Sequence, residues 1–184
     1  MRSLAELEAW GASRGLLLRL QVSGPAALRG LRVGVAGYGA DAAPQLLGEL
    51  KGLAIPLPDG LHLDTLRIQV PRGDLAAALV GPLIWAATFT WALEHTPCRR
   101  AELLAIRDDE HQHRRLVRYF RRLGFEPLRE LGAGVLDLPQ RLIWGGSGLL
   151  MRGECAEGLR RCERSLGVID GAAVPAAQPG SRGA

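Results

Sequence analysis

The sequence predicts a mixed α/β fold of the α+β kind, with one sheet whose strands are interleaved with helices. Three observations carry this reading. Apolar runs of strand length alternate with stretches of helical period, an order that suits neither a helical bundle nor a sandwich. The 184 residues are enough for one domain with a single sizeable core. Hydrophobic residues at 47% and charged residues at 23% are the proportions of an ordinary globular protein.

The elements follow in order. Ser3 is placed to cap a helix that runs through Arg14 and that Gly15 ends. Residues 16–22 form a nearly continuous apolar run and read as a strand. Residues 25–29 read as a turn or short helical piece, and 31–38, rich in Val and Gly, as a second strand. The stretch 46–56 is ambiguous, and strand is assigned to 51–57. Pro58-Asp59-Gly60 is a turn signal between apolar stretches. It predicts a hairpin whose second strand covers 61–70 and stops at Pro71. Pro82 suits a first helical turn, so a helix is assigned to 82–95 with Trp85, Phe89 and Leu93 as its buried stripe.

A strand over 101–106 comes next, then Asp108, Asp109 and Glu110, which cap an arginine-rich helix. Leu116, Val117, Phe120 and Leu123 form the apolar stripe of that helix, Gly124 ends it, and Phe125 starts a strand. Residues 127–131 and 141–151 read as the last strands, the second interrupted by Gly145-Gly146-Ser147-Gly148. Residues 154–166 read as a closing helix. The domain is therefore assigned to residues 1–170, and the small, Pro-rich composition of 171–184 predicts a disordered tail.

Composition narrows the function classes. No apolar run reaches the roughly 18 residues that a membrane span needs. The opening residues carry acids at helical spacing and do not read as a secretory signal. Cys98, Cys155 and Cys162 cannot all pair and none sits in a CxxC, which predicts a reducing, cytoplasmic compartment. Cys155 and Cys162 share a face of the closing helix, but no histidine lies nearby, so no metal site is expected. The net charge is +4 and Lys51 is the only lysine, so the positive charge is arginine, which favours anionic ligands in general. Acids surround the arginine-rich helix (Asp108, Asp109, Glu110, Glu126, Glu130), which speaks against nucleic acid.

The run from His113 to Phe125, an amphipathic helix closing on Leu123-Gly124-Phe125 and passing into a strand, resembles the last conserved segment of the GNAT superfamily. These are the acyl-CoA-dependent N-acetyltransferases. The order of elements over 51–131 is similar as well. The resemblance implies a GNAT-like twisted mixed, mostly antiparallel sheet flanked by helices. It also implies transfer of an acetyl group from acetyl-CoA to an amine of a small molecule or protein. In that family the hairpin's second strand splays from the next one, and its main chain pairs with the pantetheine arm. A glycine-rich turn before the following helix wraps the pyrophosphate, where free amides and the helix dipole suit a phosphate. The resemblance gives Ile68, Val70, Val80, Gly81, His113 and Phe120 as cofactor-binding positions. Asp64 is the general base it implies, with His62 on the same strand face.

The chain departs from the family at two places. Of the glycine pattern, Ala76-Ala77-Ala78-Leu79-Val80-Gly81-Pro82 keeps only Gly81, although amides of Leu79, Val80 and Gly81 remain to be presented by a longer loop. Arg72-Gly73 comes several residues early and is followed by Asp74. Phe120 stands where many members carry the tyrosine that protonates the leaving thiolate, and Tyr119 is turned by about 100° from it. A second reading is therefore a GNAT-like binding or regulatory protein without catalysis. Val33 to Ala42 also imitates a dinucleotide fingerprint, with Asp59 about twenty residues on, but no further βαβ units follow. Beside Trp144, the glycine run is a bulge or a place where a ligand touches backbone.

Overall fold

The structure, a computed structural model, describes residues 1–38, 43–69, 75–132, 134, 138–139 and 144–172, without the side chains of 75–77 and 168–172. Along the chain come α1 (Leu4–Ala12), β1 (Leu16–Ser23), β2 (Arg29–Tyr38), β3 (Pro44–Ala54), β4 (Leu61–Ile68) and α2 (Leu75–His95). Then follow β5 (Arg100–Ile106), α3 (Glu110–Arg122), β6 (Phe125–Leu131), β7 (Gly148–Glu154) and α4 (Cys155–Ala172). The seven strands form one sheet in the order β1-β2-β3-β4-β5-β7-β6. Every joint is antiparallel except β4–β5, which is parallel. This is the α+β sheet domain that the interleaving predicts, and its mostly antiparallel pairing with flanking helices is what the family resemblance implies.

Local chemistry accounts for most boundaries. Ser3 caps α1 reciprocally: its hydroxyl accepts from the Glu6 amide, and the Glu6 carboxylate accepts from the Ser3 amide at 2.7 Å. In β1 to β4 alternate residues such as Leu18, Val33, Leu50 and Leu63 turn to the helical side and are buried. Asp109 caps α3, its Oδ1 accepting from the Gln112 amide at 2.8 Å. Gly124 follows α3 with φ +97°, a left-handed turn where a side chain is strained. Arg161 of α4 pins the same helix end by donating to the Arg121 and Arg122 carbonyls at 3.2 and 3.3 Å.

Several boundaries differ from the sequence expectation. Strand β3 is longer than assigned, starting at Pro44 and ending at Ala54. Strand β7 begins only at Gly148, with Trp144 in a helical turn before it, and residues 141–143 lie outside the described residues. Helix α2 begins at Leu75, well before Pro82, and carries that proline inside. Its first turns are alanine and leucine, strong helix formers. They also find a bed on β3 at Gly48. A Cβ there would sit 2.7 Å from Val80 Cγ1 and 2.9 Å from Ile84 Cδ1, so only glycine lets the helix approach this closely. Packing thus outweighs the preference of proline for a first turn. The missing Pro82 N–H leaves only the Ala78 carbonyl without its intrahelical donor.

The dinucleotide-like segment is settled by topology. Residues 33–38 belong to β2, which is held antiparallel by β1 on one side and β3 on the other, so no βαβ unit starts there. Helix α4 runs on to Ala172, past the expected end at 166 and into the first two residues of the expected tail, and residues 39–42 and 173–184 lie outside the described residues.

The core centres on four rings between α2, α3 and β6. Trp85 stacks on Phe89 at 5.4 Å and meets Phe120 and Phe125 edge-on at 6.2 and 5.7 Å. Helix α4 packs along α2, and α1 closes against β1 and α2. Among the described residues no helix is long and apolar enough to cross a membrane.

Candidate functional site

The parallel joint is where the sheet opens. Strands β4 and β5 pair only at Leu61 with Ala101, His62 with Glu102 and Leu63 with Leu103. Beyond that point β4 stays with β3 as far as Ile68, and β5 stays with β7 as far as Ile106. The two strands therefore part, and the facing main-chain groups of both have no strand partner in the gap among the described residues.

A cleft of about 470 Å³ occupies the gap. Leu63 and Leu66 line one side and Leu103, Leu104 and Ile106 the other. Trp85, Leu116 and Phe120 form the helical end, and Asp64, Arg67, Asp108 and Trp144 the polar rim. A second cavity, of about 550 Å³, lies on the sheet face turned away from α2, over Gln21, Arg32, Lys51, Leu53 and His62. Asp64 and Trp144 line both cavities, so the two adjoin at these residues.

Strand β4 explains this junction. His62 and Asp64 both reach the second cavity, and a register irregularity at Lys51/Gly52 brings Asp64 to the cleft as well. Asp64 is exposed, and its Oδ2 accepts from the Thr65 hydroxyl at 3.4 Å. The His62 ring lies 5.3 Å from that of Trp144, and its buried Nδ1 has no hydrogen-bond partner among the described residues. The nearby cations are already engaged. Glu49 is pulled below the usual carboxylate range because, although burial opposes its ionisation, bonds from Arg32 and Lys51 outweigh that.

The other expected site residues fall in different places. Phe120 lines the cleft, with 7% of its surface exposed. Ile68 closes β4, and its Cδ1 lies 3.3 Å from where a Gly81 Cβ would stand, so the two meet at the strand end. The Val80 side chain is wholly buried against β3. The main chain of Val80 and Gly81 is within α2 rather than in a loop. Val70, with Arg72, Gly73 and Asp74, lies outside the described residues. His113 is buried, with Nδ1 donating to the Ile106 carbonyl at 3.2 Å, and lines a separate depression with Arg107, Glu110 and Arg114.

Tyr119 also turns toward α2, its ring 5.5 Å from that of Phe120, so the helical step does not carry it away from the aromatic cluster. Its hydroxyl accepts from Trp85 Nε1 at 2.8 Å and lies 3.4 Å from the position of a Gly81 Cβ. Burial pushes its pKa up to about 12, offset in part by the Trp85 hydrogen bond. Asp64 and Phe120 are the cleft residues that the sequence reading singles out as site residues; the others carry no such role there, among them Leu104 and Trp144. The only hint of the latter was the glycine run beside it.

The cysteines are core residues. Burial pushes the thiols of Cys155 and Cys162 up to about 12, so at neutral pH neither offers the thiolate that metals and disulfides need. Among the described residues no three His, Cys, Asp or Glu side chains are grouped to hold a metal ion. These raised values have a consequence at high pH. In the unfolded chain the thiols ionise near 9 and the phenol near 10, while the folded chain keeps all three protonated. Stability is therefore full below pH 9 and falls as pH climbs toward 12. Melting temperature measured from pH 8 to 11 is expected to decline above 9, less steeply in a Cys155→Ala/Cys162→Ala variant. A flat wild-type profile would contradict the burial of these groups.

Compared by sequence, the chain matches no protein-family model and no curated protein.

Proposed function

We propose that the protein is a GNAT-type N-acyltransferase that moves an acetyl group from acetyl-CoA to an amine. The observation that carries this is the parting of β4 and β5 after three residue pairs, with a cleft in the gap and Asp64 at its mouth. Unpaired strand amides and carbonyls suit a pantetheine arm, which is itself a chain of amides. The thioester lies in the cleft and the amine enters from the cavity over His62 and Lys51. The amine nitrogen attacks the thioester carbonyl, forming the C–N bond, and strand amides in the gap stabilise the oxygen as it gains charge. Asp64, directly or through one water, takes the amine proton. The C–S bond then breaks, and solvent protonates the thiolate because Phe120 has no proton to give. A reducing, cytosolic setting fits both the cosubstrate and the unpaired cysteines.

The test is thermal unfolding with and without acetyl-CoA. At 100 times its dissociation constant the cosubstrate is expected to add about 2.7 kcal/mol of stability. No shift at millimolar acetyl-CoA would overturn the reading. A second reading, a scaffold that binds without catalysing, is favoured by Phe120 and by the helical state of Val80 and Gly81. Stabilisation by acetyl-CoA with no acetylation across an amine panel would select it.

A further inference from the structure

If acetyl-CoA enters the gap, its phosphates need donors, and the α2 amides expected to supply them are engaged, the free ones being those of the first turn at 75–78. The helix is already formed at Leu75, so the amides of Leu79, Val80 and Gly81 serve its own hydrogen bonds, and Pro82 has none. Helix α3 presents an alternative. Gln112, Arg115, Arg118 and Arg122 ring a depression of about 510 Å³ floored by Leu116 and Tyr119. Positions 115, 118 and 122 are neighbours along one flank of a helix.

Two features separate this patch from an ordinary solvated helix face. Several guanidinium groups of the chain sit on carboxylates, as Arg19 does on Glu8, Arg100 on Asp59 and Arg152 on Glu102, while Arg29 and Arg99 donate to main-chain carbonyls. Arg115, Arg118 and Arg122 have no side-chain ion pair among the described residues, and no acid lines the depression. The patch also adjoins the cleft. Tyr119, in its floor, is bonded to Trp85 of the cleft and lies against Gly81, which meets Ile68 at the end of β4.

We propose that Arg115, Arg118 and Arg122 hold the phosphate groups of the nucleotide end of the cosubstrate, doing with side chains what main-chain amides do elsewhere. This rests on the acyl-CoA reading above. Guanidinium matches phosphate oxygens in pairs and stays charged at every working pH, so three of them on one flank suit a di- or triphosphorylated ligand.

The experiment compares the full chain with an Arg115→Gln/Arg118→Gln/Arg122→Gln variant, and with the matching triple Lys variant. Calorimetry is run with acetyl-CoA and with S-acetylpantetheine, which keeps the thioester and lacks the nucleotide. The wild type is expected to prefer acetyl-CoA, and the Gln variant to lose roughly tenfold of that preference per arginine, the worth of one charge-assisted hydrogen bond. The Lys variant, which keeps the charge but not the paired geometry, is expected to restore part of it. A Gln variant that melts like the wild type and binds acetyl-CoA equally well overturns the assignment and leaves the acyltransferase reading standing. A wild type that binds neither thioester overturns both. Tight binding of a single-stranded RNA oligonucleotide through these arginines, without preference for acetyl-CoA over S-acetylpantetheine, also overturns it and makes the patch a nucleic-acid face.

Discussion

Trp85→Ala is expected to destabilise the fold by about 3–5 kcal/mol, the usual loss when a large buried aromatic is truncated. The side chain is 1% exposed and touches three other rings, Phe89, Phe120 and Phe125, which come from α2, α3 and β6. Truncation leaves a void where these elements converge, and Tyr119 loses the indole donor at 2.8 Å. Trp85→Phe keeps most of the volume and gives up that hydrogen bond, so it should lose less. Chemical denaturation of both variants measures the difference. A loss below about 1 kcal/mol for Trp85→Ala would mean that the surroundings collapse into the space and that the rings do not brace the cleft.

Asp64→Asn is expected to slow acetyl transfer by about 10²–10⁴-fold, the range that a positioned general base contributes. The amide has the shape of the carboxylate but cannot take a proton from the attacking amine. Because Asp64 is exposed and its side-chain hydrogen bond is with the neighbouring Thr65, the change should leave stability and acetyl-CoA binding intact. The measurement is kcat with a saturating amine, beside calorimetric affinity for acetyl-CoA. Equal rates in the two proteins would remove Asp64 from catalysis. Lost affinity together with lost rate would make it a binding residue instead.

Much of the fold was legible where a single residue type decides local geometry. Ser3 and Asp109 mark helix starts because their oxygens accept the first free amides. Gly124 marks a stop because it takes a positive φ. The turn at Pro58-Asp59-Gly60 was readable from its residue types, and a Cβ at Gly60 would collide with the Ile55 carbonyl oxygen. What could not be read was set by partners distant in sequence. Pro82 looks like a first-turn residue, and nothing nearby in the chain says that Gly48 of β3 makes room for one or two more helical turns before it. The first half of β3 was ambiguous because Pro44, Gly48 and mixed polar residues blur its alternation, and β2 holds it in place. The site was legible in part. Asp64 and Phe120 border the cleft, whereas His113 faces the Ile106 carbonyl instead. Trp144 meets His62 across a separation of more than eighty residues, which no local pattern announces.

Three rungs tie β4 to β5, where eight tie β1 to β2. The sheet is therefore mechanically two plates with a soft seam, strapped across by α2 and its neighbours. Load on the sheet collects at that seam, because few rungs yield before many. Any occupant whose amides and carbonyls complete the interrupted ladder acts as a splice, and the plates on either side then move as one.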